Sequence, residues 1–141
     1  MDQKPLTILV VDDEPLIRDS LGEGLRLNGF QVLQAGDGDE ALVVLASEPV
    51  SLVLTDLAMP RRDGIETIIE IRRRFPHVKV IALSGVFGGL CLEMARQLGA
   101  AAALSKPVRI DTLCRTVDAV LASGAAQPDA GPGVQALGSG G

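Results

Sequence analysis

The sequence predicts an α/β fold in which five parallel strands form a sheet joined by crossover helices. Five short apolar runs alternate with segments of helical length, which is the pattern of strands buried on both faces. Four of these runs end at polar residues, namely Asp12 with Asp13, Asp56, Ser84 and Lys106. In such sheets, functional groups gather at the carboxyl ends of the strands. We therefore expect these five side chains to meet at one edge of one domain.

The first two strands are predicted at residues 6–11 and 31–35. Pro15 suits the first turn of the helix after strand one, and Asn28-Gly29 is a left-handed cap signal that ends this helix. The inward face of the first helix is predicted to contain Ile17, Leu21, Gly24 and Leu25. The second helix is predicted from about residue 37 to residue 47, with an inward face of Ala41, Leu42, Leu45 and Ala46.

The alternation continues through the middle of the chain. Strand three is predicted at residues 52–56, followed by a loop at 59–64 and a helix at 65–75. The residues that recur at helical spacing in this third helix are Ile65, Ile68, Ile69 and Arg72. Strand four is predicted to end at Ser84. A loop with three glycines, residues 85–89, then leads into a helix that terminates at Gly99.

The last strand is predicted at residues 102–105. One side of the final helix is predicted to carry Ile110, Leu113, Val117, Val120 and Leu121. From residue 123 onward Gly, Ala and Pro dominate, and such a segment cannot bury enough apolar surface to offset its ordering entropy. We predict one folded domain over residues 1–122 and a disordered tail or linker over residues 123–141.

Composition excludes several classes of protein. Of the 141 residues, 47% are hydrophobic but only 2% are aromatic, so the core must be aliphatic. The formal net charge of −5 argues against a nucleic-acid surface on this chain. No apolar stretch approaches the roughly 18 residues of a membrane span, and the amino terminus lacks the apolar region of a signal peptide. Cys91 and Cys114 have no ligand spacing, so we expect reduced structural thiols in a cytoplasmic protein.

Each polar strand end has an ordinary structural interpretation when it is considered alone. Asp12 and Asp13 are placed to cap the following helix, and Ser84 is a common turn residue. Asp56 is more informative, because an acid that closes an apolar run needs a partner when it is buried. Taken together, three carboxylates, a hydroxyl and an ammonium at one sheet edge indicate a site for a divalent cation and a phosphoryl group.

The order of these motifs closely resembles the receiver domain of two-component response regulators over about residues 5–122. The resemblance is carried by Val10-Val11-Asp12-Asp13-Glu14-Pro15, Thr55-Asp56-Leu57-Ala58-Met59-Pro60 with Asp63-Gly64, Leu83-Ser84-Gly85, and Gly99-Ala100 ahead of Ser105-Lys106-Pro107. It implies a doubly wound, flavodoxin-like sheet of strand order 2-1-3-4-5 with five helices.

The resemblance also implies a role for each site residue. Asp13 is the direct acidic ligand of Mg²⁺, and Asp12 acts mainly through water. Asp56 ligates the metal and accepts the phosphoryl group, and the backbone carbonyl of Ala58 supplies a further oxygen ligand. Lys106 places a positive charge on the phosphoryl oxygens. Ser84 moves to hydrogen-bond the phosphoryl group and thereby converts a local charge change into loop movement.

The chain departs from the family at Ala103, where most receivers have Tyr or Phe. The usual aromatic switch is therefore absent, and we expect the space beside strand five to be open or filled by Phe87. Helix four is apolar nearly all round, so we expect it to expose Leu or Met to a protein partner. The resemblance implies a downstream protein on the face formed by helix four, strand five and helix five. We favour a different protein there over a symmetric dimer.

Several functions compete at this stage. The leading one is a signalling module that is not an enzyme beyond its own phosphotransfer and dephosphorylation, with a sensor histidine kinase or a phosphotransfer protein as donor. A degenerate receiver would keep the fold without the chemistry. A phosphatase of the haloacid dehalogenase type is disfavoured, because its general acid position is occupied here by Ala58. The chain is also compatible with a fragment of a hybrid kinase or of a DNA-binding response regulator.

Overall fold

Five parallel strands form a sheet in the order β2-β1-β3-β4-β5, which confirms the predicted α/β fold and strand order. The computed structural model describes residues 5–57, 64–85 and 88–123, and for residues 88–92 it describes the backbone. The strands are β1 (Thr7–Val11), β2 (Gln31–Ala35), β3 (Leu52–Asp56), β4 (Lys79–Ser84) and β5 (Ala102–Ser105). The helices are α1 (Pro15–Leu27), α2 (Gly38–Ser47), α3 (Gly64–Arg74), α4 (Gly88–Gln97) and α5 (Ile110–Ser123).

Aliphatic side chains fill both faces of the sheet. On one face, alternate strand residues such as Leu9 and Val53 pack with buried residues of α2, α3 and α4. On the other face, residues such as Ile8 and Leu54 pack with α1 and α5. Alternation of this kind follows from the two-residue period of a strand. The central strands are therefore buried on both sides, and the predicted aliphatic core is confirmed.

Glycine caps end two of the helices as predicted. Gly29 follows α1 with φ of 94°, and Gly99 follows α4 with φ of 107°. In each case the glycine amide and the next amide donate to carbonyl groups of the last helical turn, as in a Schellman motif. The start of α2 is fixed by Asp37, whose carboxylate accepts a hydrogen bond from the Glu40 amide at 2.8 Å.

Some predicted boundaries are wrong by one position, and some residues predicted to face the core are exposed. The first strand begins at Thr7, one position after Leu6, which is exposed, and α3 begins at Gly64, one position before the predicted start. Ala46 faces solvent, and Ile69 is 44% exposed because the buried side of α3 consists of Gly64, Thr67, Ile68 and Ile71. Ile110 lies at the rim of the core, where it packs close to Gly24 of α1.

Several predictions concern residues outside the described ranges. They are the Ala58 carbonyl, most of the loop at 59–64, Phe87, and nearly all of the predicted tail at 123–141. The side chains of Leu90, Cys91 and Leu92 lie outside as well, although Met94 of α4 is exposed as expected. Within the described part of the chain, no helix has the length and hydropathy required to cross a bilayer.

Candidate functional site

The sheet register brings the predicted site residues to one edge. Val11 of β1 pairs with Thr55 of β3, so that Asp12 and Asp56 are neighbours across the two strands. Farther along the sheet, Asp56 pairs with Leu83 of β4, and Ser84 pairs with Ser105 of β5. Lys106 follows directly, and its amide donates to the Ser84 carbonyl at 2.9 Å. The four strand ends therefore converge as the sequence predicted.

Three carboxylates form a compact cluster at this edge. One oxygen from each of Asp12, Asp13 and Asp56 lies within 4.8 Å of the others. Asp12 is 1% exposed and Asp56 is 5% exposed, whereas Asp13 faces solvent. Carboxylates buried to this degree need a compensating charge or hydrogen bonds. The negative charges of these carboxylates therefore need a cation nearby.

Lys106 supplies one positive charge to the cluster. Its Nζ lies 3.2 Å from Oδ2 of Asp56 and 3.3 Å from Oδ2 of Asp12. Burial alone would lower the pKa of the Lys106 ammonium, but the charges and hydrogen bonds of Asp56 and Asp12 outweigh burial and raise that pKa. The lysine therefore stays charged at neutral pH, and it ties β5 to β1 and β3.

The start of α3 packs directly against the end of β3. A Cβ atom at Gly64 would lie 2.3 Å from Cα of Leu57 and 2.5 Å from the carbonyl oxygen of Asp56. The Gly64 amide also donates to the Leu57 carbonyl at 3.1 Å. Only glycine permits this approach. Gly64 therefore fixes the backbone next to Asp56. In the sequence, this role is signalled by the Asp63-Gly64 motif.

The β1–α1 loop is held by side chains that the sequence analysis did not single out. The Arg18 guanidinium donates to the carbonyl oxygen of Asp12 at 2.8 Å and to Oε1 of Gln34 at 3.1 Å. The Glu14 amide donates to the Asp12 carboxylate at 2.9 Å. The cap residue of α1 is Glu14, with no side-chain hydrogen bond. Asp13 is therefore not a helix cap, and its carboxylate is available to the cluster.

The donor set fits a hard divalent cation. Three carboxylates and one ammonium leave two uncompensated negative charges when all four groups are ionised. Oxygen donors are the ligands that Mg²⁺ and Ca²⁺ prefer, and Mg²⁺ is commonly held by few protein carboxylates together with water and phosphate oxygen. The exposure of Asp13 on the solvent side leaves this edge accessible to such ligands.

A doubly wound sheet of this strand order, with acids and a lysine at its carboxyl edge, places the chain in the class of flavodoxin-like α/β domains. The family model of the response regulator receiver domain matches residues 8–118. The chain therefore belongs to the response regulator receiver domain family, whose members are signalling modules.

Curated relatives support this membership. The transcriptional regulatory protein PdtaR of Mycobacterium tuberculosis is 38% identical over 117 residues, which cover 81% of this chain and 56% of PdtaR. The transcriptional regulatory protein GlrR of Escherichia coli K12 is 36% identical over 129 residues, which cover 92% of this chain and 29% of GlrR. The matched region thus spans 29% of the length of GlrR and 56% of the length of PdtaR.

Solved structures agree with the same assignment. A CheY-like response regulator receiver domain from Methanospirillum hungatei superposes with a TM-score of 0.81 at 27% identity, covering 86% of this chain and 97% of that one. The receiver domain of NtrX from Brucella abortus gives a TM-score of 0.79 at 31% identity, covering 82% of this chain and 98% of that one.

Proposed function

We propose that this chain is a phospho-accepting receiver whose acceptor is Asp56. The observation that carries the proposal is the bridge from Lys106 Nζ to both Asp12 and Asp56, at 3.3 and 3.2 Å, beside the three-carboxylate cluster. A carboxylate attacks phosphorus poorly unless the negative charges of donor and acid are neutralised. Lys106 supplies part of that neutralisation, and a divalent cation held by the three carboxylates would supply the rest.

Each site residue has a distinct part in the proposal. Mg²⁺ would be held directly by Asp13, Asp56 and the backbone carbonyl of Ala58, and by Asp12 mainly through water. The ion would screen the charge of the incoming phosphoryl group. A carboxylate oxygen of Asp56 forms the new bond to phosphorus while the P–N bond of the donor phosphohistidine breaks, and the imidazole of that histidine leaves with the electron pair. Lys106 then turns its ammonium toward the phosphoryl oxygens, which carry more negative charge than the carboxylates alone. The Ser84 hydroxyl donates a hydrogen bond to the same phosphoryl group.

The donor in this proposal is a phosphohistidine of a sensor histidine kinase or a phosphotransfer protein in the cytoplasm. The output is a downstream protein bound at the face formed by α4, β5 and α5. The exposure of Met94 on α4 supports an apolar contact there. We further propose that residues 1–122 form the receiver and that residues 123–141 are a tail or linker.

A second arrangement concerns the whole protein. PdtaR and GlrR are named transcriptional regulatory proteins, and both are longer than this chain. The chain is therefore also consistent with the receiver part of a DNA-binding regulator or of a hybrid kinase. The phosphoryl acceptor chemistry would be the same in either case.

Intact-mass spectrometry tests the acceptor. Incubation with a small acyl-phosphate donor and Mg²⁺ should add one phosphoryl group, and chelation of Mg²⁺ should prevent the addition. Asp56→Asn should abolish labelling, whereas Asp118→Asn, which alters an exposed acid of α5, should label as the natural protein does. Circular dichroism would establish that both variants are folded. Continued labelling of the Asp56→Asn variant would show that Asp56 is not the acceptor.

A further inference from the structure

Arg18 lies in the first turn of α1, but its side chain binds two groups outside the helix. Its Nη1 donates to the carbonyl oxygen of Asp12 at 2.8 Å, and its Nε donates to Oε1 of Gln34 on β2 at 3.1 Å. The Gln34 amide nitrogen in turn donates to Oδ1 of Asp19 at 3.2 Å. A guanidinium is a rigid, planar fork of donors. The hydrogen bonds to Asp12 and Gln34 therefore fix the position of the Arg18 guanidinium.

The accepting carbonyl belongs to the peptide that joins Asp12 to Asp13. The Asp12 amide donates to the Ala35 carbonyl of β2 at 3.2 Å, and Arg18 of α1 binds the Asp12 carbonyl, so both backbone polar groups of Asp12 have partners. The Asp13 carboxylate has no hydrogen-bond or ion-pair partner among the residues that the structure describes. Its direction therefore depends on the backbone that precedes it, and Arg18 holds that backbone.

We propose that Arg18 is a positioning residue for metal binding. By fixing the peptide between Asp12 and Asp13, it keeps the exposed carboxylate of Asp13 directed toward Asp56 before an ion arrives. A ligand group that is oriented in advance loses less conformational freedom when the ion binds. The inference rests on the proposed function, because it assumes that the acidic cluster binds Mg²⁺.

Charge and positioning have opposite effects at this residue. Arg18 is a cation close to a site for a cation, so its charge alone weakens Mg²⁺ binding. If charge dominated, removal of the guanidinium would tighten binding. If positioning dominates, the same removal weakens binding, because Asp13 is no longer oriented. The sign of the change therefore distinguishes the two effects.

Isothermal titration calorimetry of the metal-free protein with MgCl₂, at fixed ionic strength, provides the test. Arg18→Met should weaken Mg²⁺ affinity about 10-fold, the loss typical of removing a group that orients a metal ligand. Arg18→Lys should restore part of the affinity, because an ammonium can still donate to the Asp12 carbonyl. At saturating Mg²⁺, the Arg18→Met protein should still be labelled on Asp56.

Gln34→Leu tests the same idea without changing charge. It removes the acceptor that anchors Arg18, so it should weaken Mg²⁺ binding in the same direction by a smaller factor. Because the two residues act through one carbonyl, the double variant should bind little worse than Arg18→Met alone. Arg26→Met is the matched control, since it removes an exposed cation from the last turn of the same helix. Its affinity should equal that of the natural protein.

Unchanged or tighter Mg²⁺ binding by Arg18→Met would overturn the proposal. An equal loss in Arg26→Met would also overturn it, because the effect would then be a general one of charge or helix stability. Thermal melting in the absence of metal distinguishes a folding defect from a loss of Mg²⁺ affinity in a folded protein. If Arg18→Met does not fold, the Mg²⁺ affinity of Gln34→Leu tests the proposal in its place. A natural protein that binds no Mg²⁺ would instead contradict the proposed function itself.

Discussion

The ammonium of Lys106 lies 3.2 Å from Oδ2 of Asp56, although 50 positions separate the two residues in the chain. The same nitrogen lies 3.3 Å from Oδ2 of Asp12. One lysine directly after the edge strand β5 thus holds two buried acids at the ends of the central strands β1 and β3. A cation that binds these acids has to share their oxygens with Lys106 or displace it.

Lys106→Met should destabilise the metal-free protein and strengthen its binding of Mg²⁺. Loss of the ammonium leaves two buried carboxylates without their shared partner, which we expect to cost about 2 kcal/mol after allowance for the partial exposure of the lysine. The same loss removes a competitor for the carboxylate oxygens. Thermal melting with and without MgCl₂, together with calorimetric titration, measures both effects.

Lys79→Met is the control for this prediction. Lys79 lies at the start of β4, at the amino end of the strand, whereas the acidic cluster lies at the carboxyl ends of the strands. It should alter neither the Mg²⁺ affinity nor the response of the melting temperature to Mg²⁺. If Lys106→Met binds Mg²⁺ more weakly than the natural protein, the lysine does not compete with the ion for these oxygens.

Asp13→Asn should abolish strong Mg²⁺ binding yet raise the melting temperature of the metal-free protein. The carboxylates of Asp12, Asp13 and Asp56 lie within 4.8 Å, so their repulsion opposes folding. Asp13 is exposed, so its share of this repulsion is about 1 kcal/mol, which corresponds to a rise of a few degrees. Asp37→Asn, which retains a helix-capping oxygen, is a suitable control. A fall of several degrees in Asp13→Asn would mean that Asp13 has a structural role.

The parts of the fold that could be predicted depend on short-range patterns. Apolar runs located all five strands, and Gly29 and Gly99 located two helix ends, because these signals lie within a few residues of the structure they specify. The register of a parallel sheet then places the predicted polar strand ends together. Asp12, Asp56 and Lys106 meet for this reason.

The parts that could not be predicted depend on the rotation of a helix and on contacts between distant residues. Ala46 and Ile69 are apolar residues at the margin of a helical face, and a small rotation of the helix decides whether they are buried. Arg18 reaches a partner 16 positions away on β2, and nothing in its local sequence distinguishes it from a solvated arginine. Such contacts become visible only when the elements are packed.

Cys114 should be slow to react with alkylating reagents, and its thiol should titrate at a higher pH than an ordinary cysteine. Burial, followed by the negative charges of Asp118 and Asp111, raises the pKa of its thiol above the ordinary cysteine value. Because the folded pKa exceeds the unfolded one, the thiol's contribution to stability is present below the unfolded pKa and is lost as pH rises through the folded value. The rate of iodoacetamide labelling against pH in a Cys91→Ser protein measures this pKa. A midpoint in the folded protein at or below that of the same protein unfolded in urea would contradict the prediction.

Alanines occupy the region beside β5 where most receivers have an aromatic ring. Ala103 pairs with Ala82 on β4, and both belong to the buried cluster that includes Ala95 of α4 and Ala100. Ala103 is 9% exposed, and Ala82 and Ala95 are fully buried. Small side chains allow α4 to lie close to β4 and β5. The expectation that Phe87 fills this region concerns a residue outside the described ranges.

Ala103→Tyr should therefore destabilise the protein, because a ring cannot enter a region packed with alanines unless α4 moves. Inserting extra volume into a packed core costs about 1–3 kcal/mol, which urea unfolding can measure. Ala102→Tyr is the matched control, since the neighbouring Ala102 lines an open groove of about 450 Å³ between β5 and α5. That variant should retain nearly all of the natural stability. If Ala103→Tyr is instead as stable as Ala102→Tyr, the space beside β5 can admit a ring, and close packing of α4 does not explain the absence of the aromatic residue.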